Sequence, residues 1–336
     1  MNLVFPPKFS VAPMIDYTDR HFLKLCRILS PHALLYTEMI TANAILKGGR
    51  EFLLSYDMDT NPVVLQIAGY DPEILSDAAK LGELHGYSGI NLNVGCPSNR
   101  VQNGNFGACL MAKPKLVANI LREIKASVKI PVSIKHRIGI DGLETKEDLF
   151  AFVKQVSEES GVDWFIVHAR IAILSGLSPH QNRSVPPLRY HDVYELKQKF
   201  PHLKIELNGG IVSVEEMQKH LHFVDGVMLG RKIIEDCFFL NEVEERFFLN
   251  PSVKTRTEVW NAYLEYTFAM MERSFAFSKM GKHLLSLFHG IPGARGFRRE
   301  LTKYLQEKNP SRESLDDLYS RFFPNASFLL DAIPFN

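Results

Sequence analysis

Short apolar runs alternate with amphipathic stretches of helix length through about the first 240 residues, and this rhythm limits the possible folds more than any other feature. Most of the apolar runs are continuous, as expected for parallel strands that are covered on both faces. Asp71 followed by Pro72 predicts one helix start, and a second helix is predicted from Lys113. The eight predicted strands cover residues 9–14, 34–38, 63–68, 89–94, 132–137, 164–169, 204–209 and 226–230.

Eight strand-and-helix units in this length predict an α/β fold, the (β/α)8 TIM barrel. An open, doubly wound sheet is the alternative, because alternation alone does not close a barrel. The position of the polar residues favours the barrel, since five strands that supply one site are natural in a closed barrel and awkward in an open sheet. Those residues stand at or near the carboxyl ends of the strands: Gln66, Asn91, Asn93, Lys135, His168 and Asn208.

After about residue 245 the strand pattern stops and helical periods follow, at residues 253–274, 277–291, 293–308 and 313–323. We therefore predict two domains, a barrel over residues 1–243 and an all-α helical domain over residues 244–336. The formal net charge of the chain is only +1. Residues 273–308, however, contain eight Lys or Arg against two Glu. This local excess is either a solvated helix face or a nucleic-acid contact.

Composition excludes several classes of protein. The chain has 336 residues, of which 46% are hydrophobic, so it can bury a large core and is not a disordered protein. Its four cysteines are widely spaced without a CxxC pair, and we expect no secretory signal, no metal site and no membrane span. We therefore expect a cytoplasmic protein in a reducing compartment, and a monomer.

Two glycine-containing motifs stand at the ends of the seventh and eighth strands, LNGGI at residues 207–211 and MLGRK at 228–232. In barrels the loops after these two strands commonly bind phosphate, because glycines let backbone N–H groups approach it. Arg231 can add a charged contact. The pair of motifs predicts a phosphorylated cofactor or substrate, although glycines also make ordinary tight turns.

Lys135 and His168 are polar residues in otherwise apolar strands. A lysine near a barrel strand end is costly to bury without an anionic partner, so Lys135 predicts an anion in the site. A lone histidine on an apolar strand is more often a hydrogen-bonded core residue. The other convergent polar residues favour a site role for His168.

Cys96 lies between Gly95 and Pro97 where the fourth strand ends and a polar loop begins. It can be an inert packed thiol, a nucleophile or a proton donor. Its position on the active face argues against the first reading, because Pro97 ends the strand. A free thiol, with an ordinary pKa of about 8.5, is mostly protonated at neutral pH. The residues alone do not decide whether Cys96 is a nucleophile or a proton donor. Cys109, in an apolar run, looks like a core thiol.

Several segments together closely resemble the tRNA-dihydrouridine synthase family, in particular its A-type members. They occur in the order of the family: VAPMIDYTDRHF, LYTEMITANAI, QIAGYDP, INLNVGCPSNRVQNGNFGACLM, IKHRIGID, VHARIAILSGLSPHQNRSVPPL, LNGGI and DGVMLGR. They cover roughly residues 10–232, and GARGFRRE at 293–300 resembles the helical domain of the A-type.

The resemblance implies an FMN enzyme that reduces the C5–C6 double bond of uridine in the tRNA D-loop, at positions 20 and 20a, with NADPH reducing the flavin. It implies that Cys96 is the catalytic proton donor to C5, because hydride arrives at C6 from the flavin on the other face. Asn93 would contact the target uridine. The implied FMN contacts are Pro13, Met14, Ile15, Gln66, Lys135 and His168 around the ring, and Asn208, Gly209, Gly210, Gly230 and Arg231 around the phosphate.

The resemblance further implies contacts with the D-loop and elbow of tRNA by His180, Arg183, Arg295 and Arg298. A-type members often carry Lys where this chain has His180, so a phosphate contact there would depend on protonation. The loop of residues 98–106 is expected to be a flap that positions Cys96. Two other functions stay open: a flavin barrel acting on a free pyrimidine or enone, and a tRNA-binding protein without catalysis.

Overall fold

The computed structural model describes residues 7–250, 252–307 and 309–324. The strands are β1 (Phe9–Val11), β2 (Leu34–Tyr36), β3 (Ile40–Thr41), β4 (Val63–Ala68), β5 (Gly89–Val94), β6 (Val132–Arg137), β7 (Trp164–His168), β8 (Lys204–Asn208) and β9 (Gly226–Leu229). All are parallel and neighbours pair in order, while β1 pairs with both β2 and β9 and β2 pairs with β4. The sheet therefore closes, which confirms the predicted (β/α)8 barrel and excludes the open sheet.

The second position of the barrel is shared by two short strands. β2 pairs with Val63 and Val64, and β3 pairs with Ile67 and Ala68 further along β4. The predicted strand over residues 34–38 stops at Tyr36 because the hydroxyl of Thr37 takes over the next bond, accepting the N–H of Gln66 at 3.0 Å. The break turns the chain at the end of the barrel where the polar residues lie.

Helices follow most strands, and their starts match their sequences. Asp71 accepts the N–H groups of Glu73 and Ile74, and Thr145 with Asp148 forms a reciprocal capping box. The helices are α1 (Arg20–Leu29), α2 (Ala42–Lys47), α3 (Arg50–Leu54), α4 (Pro72–Leu84), α5 (Asn99–Asn103), α6 (Pro114–Ser127), α7 (Lys146–Ser160), α8 (Tyr190–Lys199), α9 (Val214–Leu221), α10 (Arg231–Glu235), α11 (Phe239–Glu242), α12 (Arg256–Glu272), α13 (Phe277–Gly281), α14 (Ala294–Tyr304) and α15 (Arg312–Phe322).

The centre of the barrel is filled by side chains, as is usual for this fold. One apolar cluster of buried residues comprises Ala12, Leu34, Tyr36, Val64, Trp164, Ile166 and Met228. Polar side chains share this interior, since Gln66, Asn91 and Glu206 are fully buried. Buried polar groups need partners, so the interior is built as a hydrogen-bonded network as well as an apolar core.

The chain divides into two compact units. The first comprises the residues up to Asp16 together with Ala33–Gly230, and the second comprises Tyr17–His32 together with the residues from Arg231 onward. This boundary differs from the predicted division after residue 243. It also joins α1 to the helical unit, where the hydroxyl of Tyr263 on α12 donates to the carbonyl of His21 at 3.2 Å.

The second unit is helical, as its sequence predicts, and has an aromatic core. Trp260 on α12 stacks on Tyr319 with ring centroids 5.4 Å apart and lies edge-on to Phe297 at 5.7 Å. The predicted helix over residues 277–291 is instead split into α13 and a 3-10 turn, and Gly281 at the junction is closely packed. A Cβ there would lie 2.7 Å from both Phe277 and Leu305. Lys308, part of the predicted basic segment, lies outside the described residues.

Candidate active site

A chain of amide side chains crosses the carboxyl ends of β4 and β5. Gln66 donates from Nε2 to Oδ1 of Asn91 at 2.7 Å and accepts at Oε1 from Nδ2 of Asn93 at 2.9 Å. Asn91 donates in turn to the hydroxyl of Ser133 on β6 at 2.9 Å. Every member is buried, so these bonds fix the orientation of Asn93 and leave one of its Nδ2 hydrogens available to a ligand.

Asn93 also sets the backbone that carries Cys96. Its Oδ1 accepts the N–H groups of Gly95 at 3.2 Å and of Cys96 at 3.0 Å, a turn that Asn side chains favour. Cys96 is half-buried, and its Sγ lies 3.6 Å from Oγ of Ser98. The thiol is therefore held by the same network that orients Asn93, at the end of β5 where the sequence predicts it.

The loop after Cys96 returns to it. The N–H of Ala108 donates to the carbonyl of Cys96 at 2.9 Å, and Gly107 has φ +74°. A Cβ at Gly107 would lie 2.6 Å from that carbonyl oxygen, so only glycine allows this approach. Gln102, in the same loop, donates to the carbonyls of Pro97 at 2.8 Å and Leu174 at 2.9 Å.

Lys135 brings a positive charge to the same end of the barrel. Its Nζ donates to Oδ1 of Asn208 at 3.0 Å, and Asn208 donates to the carbonyl of Met228 at 2.7 Å. Burial and, to a smaller extent, the charge of Arg137 lower the pKa of Lys135 to about 7, although Glu206 and Cys96 act in the opposite direction. An anionic ligand would therefore be stabilised by Lys135 and would keep it protonated.

The predicted phosphate loop after β8 has the required backbone. Gly209 has φ +117° and Gly210 has φ +75°, values that favour glycine. A Cβ at Gly209 would lie 2.5 Å from Cδ2 of His168, and one at Gly210 would lie 2.5 Å from Cδ1 of Leu188. Glycine is thus needed at both positions, and α9 begins shortly after them with Ser213 as its cap.

The second glycine position, Gly230, lies beside the segment that follows β1. A Cβ there would be 3.2 Å from Sδ of Met14 and 3.4 Å from Cβ of Ala12. Pro13 and Met14 are half-buried, and Ile15 is 47% exposed. Arg231 follows Gly230 as the first residue of α10 and belongs to the second unit.

The residues predicted to contact tRNA do not all lie in one unit. Within the first unit, His180 and Arg183 are exposed in the loop between β7 and α8. Within the second unit, Arg295 is exposed and Arg298 half-exposed on α14. Asn93 alone among the predicted tRNA contacts is part of the buried network described above.

Two charged residues of the barrel were not among the predicted site residues. Arg137 is buried and donates to the carbonyls of Gly95 at 3.3 Å and Asn182 at 2.9 Å, so it ties the turn before Cys96 to the loop that carries Arg183. Glu206 is fully buried on β8, and burial raises its pKa to about 7. The sequence signal for both was the one used for Lys135, a charge inside an apolar run.

Comparison with known proteins identifies the family. The model of the dihydrouridine synthase (Dus) family matches residues 10–323. The chain belongs to the dihydrouridine synthase family. It is 50% identical over 294 residues to the tRNA-dihydrouridine(20/20a) synthase of Synechocystis sp., covering 87% of this chain and 88% of that protein. It is 45% identical over 315 residues to the same-named enzyme of Vibrio parahaemolyticus, covering 94% and 96%.

A solved structure supports the fold independently. A 2-naphthoyl-CoA reductase in complex with 2-naphthoyl-CoA matches with a TM-score of 0.55 at 10% identity, covering 71% of this chain and 50% of that one. As a dihydrouridine synthase the protein is an oxidoreductase of a flavin-dependent family, which confirms the resemblance read from the motifs. Among the described residues no helix is long and apolar enough to cross a membrane.

Proposed function

We propose that this dihydrouridine synthase binds FMN at the carboxyl end of its barrel and reduces uridines 20 and 20a in the tRNA D-loop, with NADPH as reductant. The positions and the RNA are those in the names of its relatives. One observation carries the proposal: the Asn93–Cys96 turn, the Lys135–Asn208 pair and the Gly209–Gly210 loop lie at the carboxyl ends of neighbouring strands of a single closed sheet.

FMN fits the residues at this end of the barrel. The backbone of Gly209 and Gly210, with Gly230 and Arg231, would hold its phosphate, because the loop has the glycine conformations that such a contact needs. Gln66, Lys135 and His168 would contact the ring, with Pro13, Met14 and Ile15 along its edge. When bound, FMN supplies a hydride to C6 of uracil.

Lys135 and Asn208 stabilise negative charge in this site. The Lys135 ammonium is already oriented by Asn208, so no reorganisation is needed when charge develops on a bound anion. Removal of water from the lysine strengthens that interaction and also makes the lysine easier to deprotonate. The residue is therefore suited to a site whose occupant carries negative charge.

Asn93 and Cys96 are the residues that receive the uracil. The free Nδ2 hydrogen of Asn93 can donate to a uracil carbonyl, and Cys96 follows three residues later on the turn that Asn93 fixes. Cys96 donates a proton from Sγ to C5, the atom left with negative charge once C6 has accepted hydride. The target base must leave the RNA stack to reach this face.

Phosphate contacts hold the rest of the D-loop and elbow of tRNA. Arg183 and His180 on the barrel loop, and Arg295 and Arg298 on α14, supply these contacts. We propose that the enzyme acts as a cytoplasmic monomer. The loop of residues 98–106 acts as the flap over Cys96, and equal order of this loop with and without tRNA would contradict that role.

Activity on matched substrates tests this function. FMN-loaded enzyme with NADPH is given unmodified tRNA, free uridine or orotate, and dihydrouridine is measured for each and mapped on the tRNA. We expect product at positions 20 and 20a and none from the free bases. Equal turnover of a free base would contradict the tRNA assignment, and purified protein without flavin absorbance would contradict the FMN site.

A further inference from the structure

Glu206 is a carboxyl group inside the barrel for which the proposed reaction gives no role. It is 0% exposed, and its Oε1 accepts the hydroxyl of Ser10 on β1. The indole of Trp164 also favours the ionised form of this carboxyl group. Gly226 on β9 lies directly against it, since a Cβ there would be 3.3 Å from Cγ of Glu206. A buried carboxyl group is costly, so its presence needs an explanation.

Glu206 lies at the same level of the barrel as Lys135. Both residues pair with Ile166 of the strand between them, Lys135 from β6 and Glu206 from β8. Ile166 belongs to the interior cluster, and residues in register on adjacent strands point to the same face. Both side chains therefore enter the interior. The ammonium of Lys135 reaches Asn208, two residues beyond Glu206, so the carboxyl group lies below the point where Lys135 meets a ligand.

In the described part of the chain, the other groups that act on this pair are hydroxyl groups, an indole, the thiol of Cys96 and the guanidinium of Arg137. Glu206 is faced by Ser10 from β1, Tyr36 from β2 and Trp164 from β7. The hydroxyl of Ser10 and the indole of Trp164 favour its ionised form. Burial raises the pKa of Tyr36 well above its ordinary value, so that phenol stays neutral. Lys135 is influenced by Arg137, which disfavours its charge, and by Cys96 and Glu206, which favour it.

Burial brings the pKa values of Glu206 and Lys135 close together. It raises the pKa of Glu206 to about 7 and lowers the pKa of Lys135 to about 7. Each charge also favours the charged form of the other group.

We propose that Glu206 is a positioning residue for uridine reduction, which acts through Lys135 by holding that lysine in its charged form at the proposed FMN site. The inference rests on the proposed FMN site at this end of the barrel. Glu206 supplies the negative charge from below, so the upper side of the ammonium stays free for the ligand. Without it, Lys135 would still feel the charge of Arg137 but would lose the carboxylate that favours its protonated form, so it would lose its proton at lower pH.

The test is the titration of Lys135 in full-length, FMN-loaded protein. Protein labelled with 13Cε-lysine is followed by NMR as a function of pH, and the Lys135 signal is identified by its absence in Lys135→Arg. In Glu206→Gln the amide oxygen can still accept the Ser10 hydroxyl, but the charge is lost. We expect the Lys135 midpoint to fall by about one pH unit, a tenfold change in protonation. The alkaline limb of the pH–rate profile should move down by the same amount.

Two further variants define the outcome. Glu244→Gln removes a buried carboxylate of the second unit and should leave the Lys135 midpoint unchanged. Ser10→Ala removes a hydrogen bond that stabilises the ionised form of Glu206. The Lys135 midpoint of this variant should therefore fall between those of wild type and Glu206→Gln. An unchanged midpoint in Glu206→Gln overturns the proposal; if that variant does not fold, an unchanged midpoint in Ser10→Ala does so.

The two proposals fail in different ways. If wild-type protein makes no dihydrouridine in tRNA, the proposed function fails, while the titration still reports whether Glu206 controls Lys135. If the enzyme is active and FMN binds normally in Glu206→Gln but neither the NMR midpoint nor the alkaline limb moves, the role of Glu206 fails and the proposed function stands.

Discussion

Glu206 in the barrel and Glu244 in the helical unit are both buried carboxyl groups that accept a hydrogen bond from a serine hydroxyl, Ser10 and Ser30 respectively. Both carboxylate oxygens of Glu244 accept hydrogen bonds. Its oxygens also accept Nδ1 of His32 at 2.7 Å, the N–H of His32 at 3.2 Å and Nδ2 of Asn250 at 3.1 Å. Around Glu206 the polar partners are fewer, namely the hydroxyl of Ser10 and the indole of Trp164.

The difference separates two uses of buried charge. In the helical unit the carboxylate ties together the end of α1 and the segment after α11, and full satisfaction makes it a structural element. In the barrel a buried carboxyl group with fewer polar partners lies at the level of Lys135, where its charge acts on the site. Buried polar groups of the barrel should therefore control chemistry, and those of the helical unit should control stability.

The largest effect expected from the barrel is that of Cys96→Ala. Loss of the proton donor should reduce dihydrouridine formation by at least about 10²-fold to 10⁴-fold, the range for a general acid, while FMN binding and flavin reduction by NADPH persist. Cys109→Ala is the matched control in the same loop, since its thiol contacts the carbonyl of Phe106 at 3.1 Å. Normal product formation by Cys96→Ala would contradict the donor role.

Glu244→Gln should affect the stability of the helical unit rather than the reaction. Its side chain accepts several bonds from buried partners, so the substitution should lower the free energy of unfolding by about 3 kcal/mol. Glu206→Gln should lower it by about 1 kcal/mol or less, because a neutral amide replaces a carboxyl group whose charge is disfavoured by burial. Urea unfolding of the apo-proteins measures both. Equal losses would remove the contrast between the two glutamates.

Asp19 gives the helical unit a pH dependence of its own. Burial raises the pKa of Asp19, but the hydrogen bond and charge of His283, the N–H of Phe22 and the charge of Lys282 together hold it well below its ordinary value. Its ionised form therefore stabilises the fold above the unfolded-state pKa, and this contribution is lost as pH falls through the folded-state pKa.

Asp19→Asn tests that contribution. Asn still caps α1, so the variant removes charge while keeping the cap, and we expect a loss of about 2 kcal/mol at pH 7. The difference from wild type should shrink as the pH falls below about 4. Thermal unfolding across this range is the measurement. A difference that does not change with pH would show that the charge of Asp19 is irrelevant.

The smallest effects should come from the exposed arginines of the helical unit. Arg295→Ala and Arg298→Ala should each weaken tRNA binding several-fold and reduce the slope of log K against log salt by about 1, without changing flavin reduction. Arg299→Ala is the control on the same helix, because Arg299 is exposed and pairs with Glu300 at 3.3 Å. Salt slopes equal to that of wild type would make this surface an ordinary solvated face.

Sequence reasoning located the candidate site because parallel barrel strands bring their carboxyl ends together. Gln66, Asn93, Lys135 and Asn208 could be placed at one end of the barrel from strand positions alone. Their bonds could not, since Gln66 to Asn93 and Lys135 to Asn208 are tertiary contacts between strands. The contact of Ser10 with Glu206 joins residues 196 positions apart, which no local pattern reveals.

Other differences have similar causes. The end of β2 depends on the Thr37 hydroxyl, which bonds to a residue on another strand. The membership of α1 in the helical unit depends on packing against α12, whereas its sequence is that of any amphipathic helix. Local periodicity predicts which segments are strands and helices, but long-range contacts decide where they stop and what they pack against.

The most direct test of the division between a catalytic barrel and a supporting helical unit is dihydrouridine mapping in cells that lack this protein. Transfer RNA is isolated from the deletion strain and from strains complemented with wild type, Cys96→Ala or Glu244→Gln at matched protein levels. Dihydrouridine at positions 20 and 20a should be absent in the deletion, restored by wild type and by Glu244→Gln, and not restored by Cys96→Ala. Unchanged dihydrouridine at both positions in the deletion strain would contradict the account.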